Sequence, residues 1–141
     1  PVLTNSADIL TTFSSYAKHS YALMVVISGS RDRGMFAGET VRYAAFDGEP
    51  SDLDTNPPAH FAPWISARWG GTFSWRGNGE MPDEEMAKLR LMLSRAHEQG
   101  RRVRFWGAPD TPHFWRTLRS ANVDLINTDN LAGLQSFLTA H

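Results

Sequence analysis

The stretch at residues 102–129, RVRFWGAPDTPHFWRTLRSANVDLINTD, predicts a strand, a helix and a second strand. Residues 103–106 form an apolar and aromatic run that favours a strand, and the Gly-Ala-Pro-Asp after it ends that strand. Thr111-Pro112 predicts a helix start, because the hydroxyl accepts orphan N–H groups and proline at the first helical position gives up no hydrogen bond. Two strands joined by one helix are expected to lie parallel, with both carboxyl ends at one edge, where such folds bind ligands.

Length, charge and composition set the broad class of the chain. With 141 residues, it is expected to form one domain, residues 1–141, without an internal boundary. The net charge of −1 and the spread of Lys and Arg argue against nucleic acid as a partner. The lack of cysteine excludes disulfides and thiolate metal sites. No apolar run reaches the ~18 residues of a transmembrane segment, and no signal-peptide pattern is present. We therefore expect a cytoplasmic protein, or one secreted or periplasmic after removal of a targeting segment.

Further strands and loops are predicted along the chain. The apolar run at residues 23–28 favours a parallel strand covered on both faces. Strands are also predicted at residues 41–47 and 64–69. The regions at residues 49–63 and 70–79 are rich in Asp, Pro or Gly, and they are predicted to be loops.

Apolar residues at helical spacing predict three more helices. One begins after Ser6 as its cap and ends near residues 19–20, with an apolar face of Ile9, Leu10, Phe13, Tyr16 and Ala17. A second follows Pro82, carries acids in its first turn and ends at Gly100. A third begins near Leu131. Strand and helix thus alternate about four times, so the predicted fold is α/β, with parallel strands and alternating helices in about four βα units. This corresponds to half of a TIM (β/α)8 barrel.

Residues 100–134, GRRVRFWGAPDTPHFWRTLRSANVDLINTDNLAGL, resemble the last two strands and helices of a known barrel. It is the barrel of the superfamily of glycerophosphodiester phosphodiesterases and phosphatidylinositol-specific phospholipases C. Trp106 stands where that superfamily has a tryptophan, and residues 123–129 match its final strand. The segments VVISGS, VRYAAFDG, WRGNGEMPDEE and RAHEQGRR are similar to a bacterial branch.

The resemblance implies that the chain is the C-terminal half of such a barrel. In that superfamily the catalytic histidines and the acids that hold a divalent cation lie in the first strands, in H-R-G-like and E-x-D-like motifs. Nothing before Leu23 matches them. The resemblance thus implies no catalytic or metal-binding residue in this chain, and Ca²⁺ or Mg²⁺ only in the parent enzyme. The chain would supply pocket walls and anion contacts to a phosphoric diester hydrolase acting on glycerophosphodiesters or inositol phospholipids, and would be inactive alone.

The implied partners follow from the same resemblance. Half a barrel leaves edge strands and an inner face without cover, so we expect an N-terminal half-barrel segment or a second copy, as a homodimer, to complete it. The implied ligand is a small phosphodiester or a phospholipid headgroup. The alternative class is a non-catalytic binding module, or pseudoenzyme, for a phosphorylated or sugar-like ligand.

Trp106 and Arg104 lie on one face of their predicted strand, because side chains alternate. Trp106 is predicted to form a substrate wall at the rim, with Arg104 one layer deeper. The alternatives are that Trp106 only packs and that Arg104 forms a structural ion pair with Asp124.

Polar side chains at predicted strand ends are further binding candidates. Asp47 could bind a sugar or inositol hydroxyl, although an Asp-Gly turn also accounts for it. Asp110 and Asn127 have similar roles, with helix capping as the alternative.

Two pairs, Arg68-Trp69 and Trp75-Arg76, flank the glycine-rich loop. Arginine can donate two hydrogen bonds to a phosphate, and tryptophan can stack on a sugar face. The alternative is a loop held in place by its own aromatic residues. His97 is expected to interact with a helix dipole and not with a ligand.

Overall fold

The computed structural model of the chain describes residues 3–14, 17–29, 32–36 and 38–140. The chain divides into two compact units, Pro1–Trp64 and Ile65–His141. Each unit contains a pair of parallel strands as well as helical segments, so the predicted α/β character is confirmed. That the chain is half of a closed barrel stays a prediction.

The described residues of the first unit form five short strands. They are β1 Thr12–Ser14, β2 Lys18–His19, β3 Val25–Ile27, β4 Val41–Arg42 and β5 Ala44–Gly48. Strand β1 pairs antiparallel with β2 and with β4. Strands β3 and β5 are parallel, with Val26 opposite Ala45. The predicted parallel pairing of these two segments is confirmed.

The helix predicted between Ser6 and residues 19–20 is wrong, because β1 and β2 occupy this segment. Phe13 is fully buried, whereas Thr12 and Ser14 on either side of it are half-buried, which is the alternation of a strand. Tyr16, part of the predicted helical face, lies outside the described residues. The burial of side chains thus alternates with the period of two that is typical of a strand, although the spacing of the apolar residues also fits a helix.

Short helical segments connect the strands of the first unit. Two 3₁₀ turns cover Leu3–Ser6 and Arg33–Phe36, and α1 covers Asp52–Thr55 within the region predicted to be a loop. The strand predicted at residues 41–47 is divided at Tyr43 into β4 and β5.

The second unit alternates strands and helices. Its elements are β6 Trp64–Arg68, α2 Trp69–Thr72, α3 Asp83–Glu98, β7 Arg102–Trp106, α4 Pro112–Ser120, β8 Leu125–Ile126 and α5 Leu131–Thr139. Strand β7 lies between β6 and β8, and it is parallel to β8, with Arg104 opposite Leu125. The predicted strand, helix and strand at residues 102–129 are confirmed.

Helix ends in the second unit follow the predicted local chemistry. The Thr111 hydroxyl accepts a hydrogen bond from the Phe114 N–H at 3.2 Å, and Pro112 takes the first helical position of α4. The Asn130 side chain accepts from the Gly133 N–H at 3.0 Å and begins α5. No helix among the described residues combines the length and apolar character needed to cross a bilayer.

The core of the second unit is mainly aromatic. The Trp69 ring lies against the edges or faces of four other rings, those of Phe73, Trp75, Phe105 and Phe114. Because Phe105 occupies the buried face of β7, its neighbours Arg104 and Trp106 are turned to the opposite face. The packing of one face therefore sets the direction of the candidate binding residues.

Candidate functional site

Arg68 and Trp106 form a stacked pair at the ends of two neighbouring strands. Arg68 is the last residue of β6 and Trp106 the last of β7. The guanidinium carbon lies 5.7 Å from the centre of the indole ring, which is 44% exposed. Arg68 is exposed and, in the described part of the chain, its side chain has no ion pair. A stacked guanidinium keeps its N–H groups at the edge, where they can donate to an oxyanion.

Arg104 is held on the same face of β7 by Asn127. Its Nε and Nη2 donate to the Asn127 Oδ1 at 3.1 and 2.6 Å. Asn127 directly follows β8, so the pair lies toward the carboxyl ends of the strands. The two predicted binding residues are thus brought together, as donor and acceptor.

The alternative prediction of an ion pair between Arg104 and Asp124 is wrong. Asp124 precedes β8, and its Oδ2 accepts a hydrogen bond from the Val103 N–H at 2.8 Å. The same oxygen accepts from the His97 Nε2 at 2.8 Å. Asp124 therefore joins the start of β7 to the last turn of α3, at the end of the strands opposite to Asn127.

Asp110 is fixed by the segment that follows β8. Its Oδ2 accepts from the Asp129 N–H at 2.9 Å. Burial acts to raise the pKa of Asp110, but hydrogen bonds from the Thr128 hydroxyl and the Asp129 N–H outweigh burial and hold this pKa below its ordinary value. The carboxylate thus stays ionised and joins two loops at the carboxyl ends of β7 and β8.

Acid should therefore remove the contribution of Asp110 to stability. Its folded pKa lies below the unfolded value of about 3.9, so this contribution is present above that value and is lost as the pH falls through the folded pKa. We expect Asp110→Asn to unfold with a weaker pH dependence than the wild type in this range, measured by urea titration at a series of pH values. Identical pH dependence in both proteins would contradict the assignment.

The glycine-rich loop is held by contacts with its own residues. Trp69 has no exposed surface, and its Nε1 donates to the Trp75 carbonyl at 2.7 Å. Trp75 is buried, stacks on Phe114 at 5.0 Å between ring centres, and donates to the Asn78 carbonyl at 3.2 Å. These two indoles were predicted to contact a ligand, but in this conformation their faces contact other rings of the core.

Arg76 and Glu85 complete the support of this loop. Arg76 is exposed, and its Nη1 donates to the carbonyls of Phe73 and Trp75 at 2.6 and 3.1 Å. The Glu85 carboxylate accepts from the hydroxyl of Ser74 and from the N–H groups of Ser74 and Trp75. These hydrogen bonds lower the pKa of Glu85, and the bond from the Ser74 hydroxyl has the largest effect. From the sequence, Glu85 was expected only to favour the helix dipole.

Asp47 lies at the end of β5 in the first unit. It is buried, and its Oδ2 accepts from the Ser28 hydroxyl at 2.9 Å. The carboxylate is therefore positioned by a side chain that follows the neighbouring parallel strand β3.

Arg42 in the first unit was not recognised from the sequence as a candidate binding residue. Arg42 is 5% exposed, and its guanidinium is surrounded by the rings of Phe13, Phe36 and Phe61. One signal was visible in the sequence, since residues 41–46 place a single charge in an otherwise apolar and aromatic strand.

Comparison with known proteins identifies one partial relative. Part of the chain aligns over 64 residues, at 34% identity, with altered inheritance of mitochondria protein 6 of Zygosaccharomyces rouxii. The alignment covers 41% of this chain and 16% of that protein. The chain thus spans a small part of the curated relative it matches. No family model matches the chain, and no solved structure matches it.

Proposed function

We propose that the chain is the phosphate-contacting part of a phosphoric diester hydrolase acting on glycerophosphodiesters or inositol phospholipids. The observation that carries this proposal is the stacked pair of Arg68 and Trp106 at the ends of β6 and β7. The carboxyl ends of parallel strands are the usual ligand edge of α/β folds. The resemblance of residues 100–134 supports the same class of protein.

Each member of the pair suits a different part of such a ligand. The guanidinium of Arg68 can donate two parallel hydrogen bonds to phosphate oxygens. The exposed face of Trp106 can cover the glycerol or inositol carbon atoms beside the phosphate. Asn127 holds Arg104 on the face of β7 that also carries Trp106. The guanidinium of Arg104 adds positive charge to that face.

The chemistry of hydrolysis is assigned to a segment outside this chain, which would carry the H-R-G-like and E-x-D-like motifs. Among the described residues, no three His, Asp or Glu side chains lie close enough to hold a metal ion. No step of this proposal passes through the implied divalent cation. The general acid and base would come from the N-terminal half-barrel segment or from a partner chain.

Ligand titration with sn-glycerol 3-phosphate tests the proposal. We expect the wild type to bind and Arg68→Ala to bind roughly 10- to 100-fold more weakly, because a charge-assisted hydrogen bond contributes about 1.5–3 kcal/mol. Arg102→Ala is the matched control. Arg102 is exposed and lies on the same face of β7 as Trp106, but at the amino end of the strand. Replacing Arg102 should therefore leave the affinity for sn-glycerol 3-phosphate unchanged.

Hydrolysis assays separate the hydrolase from the alternative binding module. The chain alone should not cleave glycerophosphocholine. Cleavage that appears when a segment with the H-R-G-like and E-x-D-like motifs is added would support the hydrolase. Binding without cleavage in the complete protein would favour the binding module, and equal affinity of wild type and Arg68→Ala would reject both.

A further inference from the structure

Arg42 at the end of β4 is a buried cation that rests among aromatic rings. Its guanidinium carbon lies 5.0 Å from the ring centre of Phe36, 5.5 Å from that of Phe61 and 5.8 Å from that of Phe13. Its Nη1 is buried and has no hydrogen-bond partner in the part of the chain that the structure describes. Glu39 acts on it only as a charge at a distance. The aromatic cage, defined as Arg42 with Phe13, Phe36 and Phe61, thus encloses a cation whose Nη1 has no acceptor among the described residues.

The aromatic rings compensate only part of the cost of burial. Ring faces attract the cation electrostatically, but they accept little from N–H groups that point along the guanidinium plane. A buried donor without a partner is strongly unfavourable, and arginine does not avoid this by losing its proton. Burial lowers the pKa of Arg42, yet the side chain remains charged. The cage therefore lacks one component, an anion in the guanidinium plane.

Arg33 in the same unit has a carboxylate as its hydrogen-bond partner. Its Nη1 and Nη2 donate to the two carboxylate oxygens of Asp52, both at 2.6 Å. This hydrogen bonding raises the pKa of Arg33, which is the opposite direction to that of Arg42. Arg33 is also the more exposed of the two. Arg42 is therefore the more buried of the two arginines, and among the described residues no carboxylate binds it.

We infer that Arg42 is the anion-binding residue of a site in the first unit, which takes an oxyanion, either a carboxylate or a phosphate group. The planar fork of the guanidinium fits both groups in a two-hydrogen-bond arrangement. Phe13, Phe36 and Phe61 exclude water and strengthen that interaction. This inference does not depend on the function proposed for Arg68.

His60 supplies a local reporter for this site. Burial first, and then the charge of Arg42, lower the pKa of His60. The imidazole is therefore neutral near pH 7 and does not compete as a cation. An oxyanion on Arg42 should cancel part of the field at His60, so its ring NMR signals should shift during titration.

The test uses Arg68→Ala as the background, so that anion binding by Arg68 does not contribute. Inorganic phosphate and acetate are titrated separately at constant ionic strength, and the His60 ring signals and the melting temperature are followed. We expect a saturable shift of both with at least one anion, because a ligand of the folded state raises the melting temperature. The anion that saturates identifies a phosphate or a carboxylate site.

Two substitutions control this experiment. Arg42→Met keeps the length of the side chain but removes the charge, and it should weaken the titration at least tenfold without lowering the melting temperature in chloride. Arg33→Met should lower the melting temperature but retain the titration. Absence of saturation with both anions would overturn the inference. So would an undiminished titration in Arg42→Met, or destabilisation by that substitution as large as by Arg33→Met.

Discussion

Replacing Trp69 by alanine is expected to lower the free energy of unfolding of the second unit by about 3–5 kcal/mol. The Trp69 side chain has no exposed surface, and it contacts four other aromatic rings. Its removal leaves a large cavity that rigid rings cannot collapse to fill. It also removes the donor to the Trp75 carbonyl, a buried bond of 2.7 Å. Urea unfolding followed by far-UV circular dichroism measures the change.

Trp106→Ala is the matched control for this prediction. The residue type is the same, but Trp106 is 44% exposed, and its ring stacks against the guanidinium of Arg68. We expect a loss of less than about 1 kcal/mol in stability and a loss of affinity for sn-glycerol 3-phosphate. Equal stability losses in both variants would contradict the division into a packing indole and a surface indole.

Replacing Asp52 by asparagine is expected to lower the free energy of unfolding of the first unit by about 2–3 kcal/mol. The carboxylate is almost fully buried, accepts both guanidinium nitrogens of Arg33 and also accepts from the Glu49 N–H at 2.9 Å. Asparagine keeps one acceptor oxygen but removes the charge and one strong hydrogen bond. Because about a third of the Arg33 side chain is exposed, water can partly replace the lost partner, which limits the effect.

Glu49→Gln is the control, since Glu49 approaches the same arginine. Its oxygen lies 3.7 Å from the Arg33 Nη2, and 57% of its side chain is exposed. Solvent-exposed ion pairs contribute about 0–1 kcal/mol, so the stability change should be small. Thermal unfolding of the two variants in parallel measures both effects. A larger loss in Glu49→Gln than in Asp52→Asn would refute the assignment of the stabilising carboxylate.

Local signals in the sequence determined the elements of the second unit. The Thr111-Pro112 start of α4, the acids in the first turn of α3 and the apolar run of β7 each act within a few residues. Such signals depend on backbone hydrogen bonds and dihedral preferences that hold in most surroundings. The parallel pairing of β7 and β8 followed from the short helical connection between them.

The same local reasoning failed for β1. The spacing of Ile9, Leu10 and Phe13 fits a helix as well as it fits the end of a loop and a short strand. The structure selects the strand because β2 and β4 supply hydrogen-bond partners on either side of it. That choice depends on residues up to about thirty positions away, which a local pattern does not contain.

Only the tertiary structure decided which of two tryptophans is buried and which of two arginines binds a carboxylate. Trp69 directly follows β6, and Trp106 is the last residue of β7, so the two have similar positions in the sequence. Trp69 is nevertheless in the core, whereas Trp106 is at the surface. Arg33 binds a carboxylate, whereas Arg42 lies against three aromatic rings. Asp124, expected to pair with Arg104, binds His97 and the backbone of β7. Partner choice of this kind depends on long-range packing, in which the burial of apolar surface places the polar groups and the sequence spacing does not.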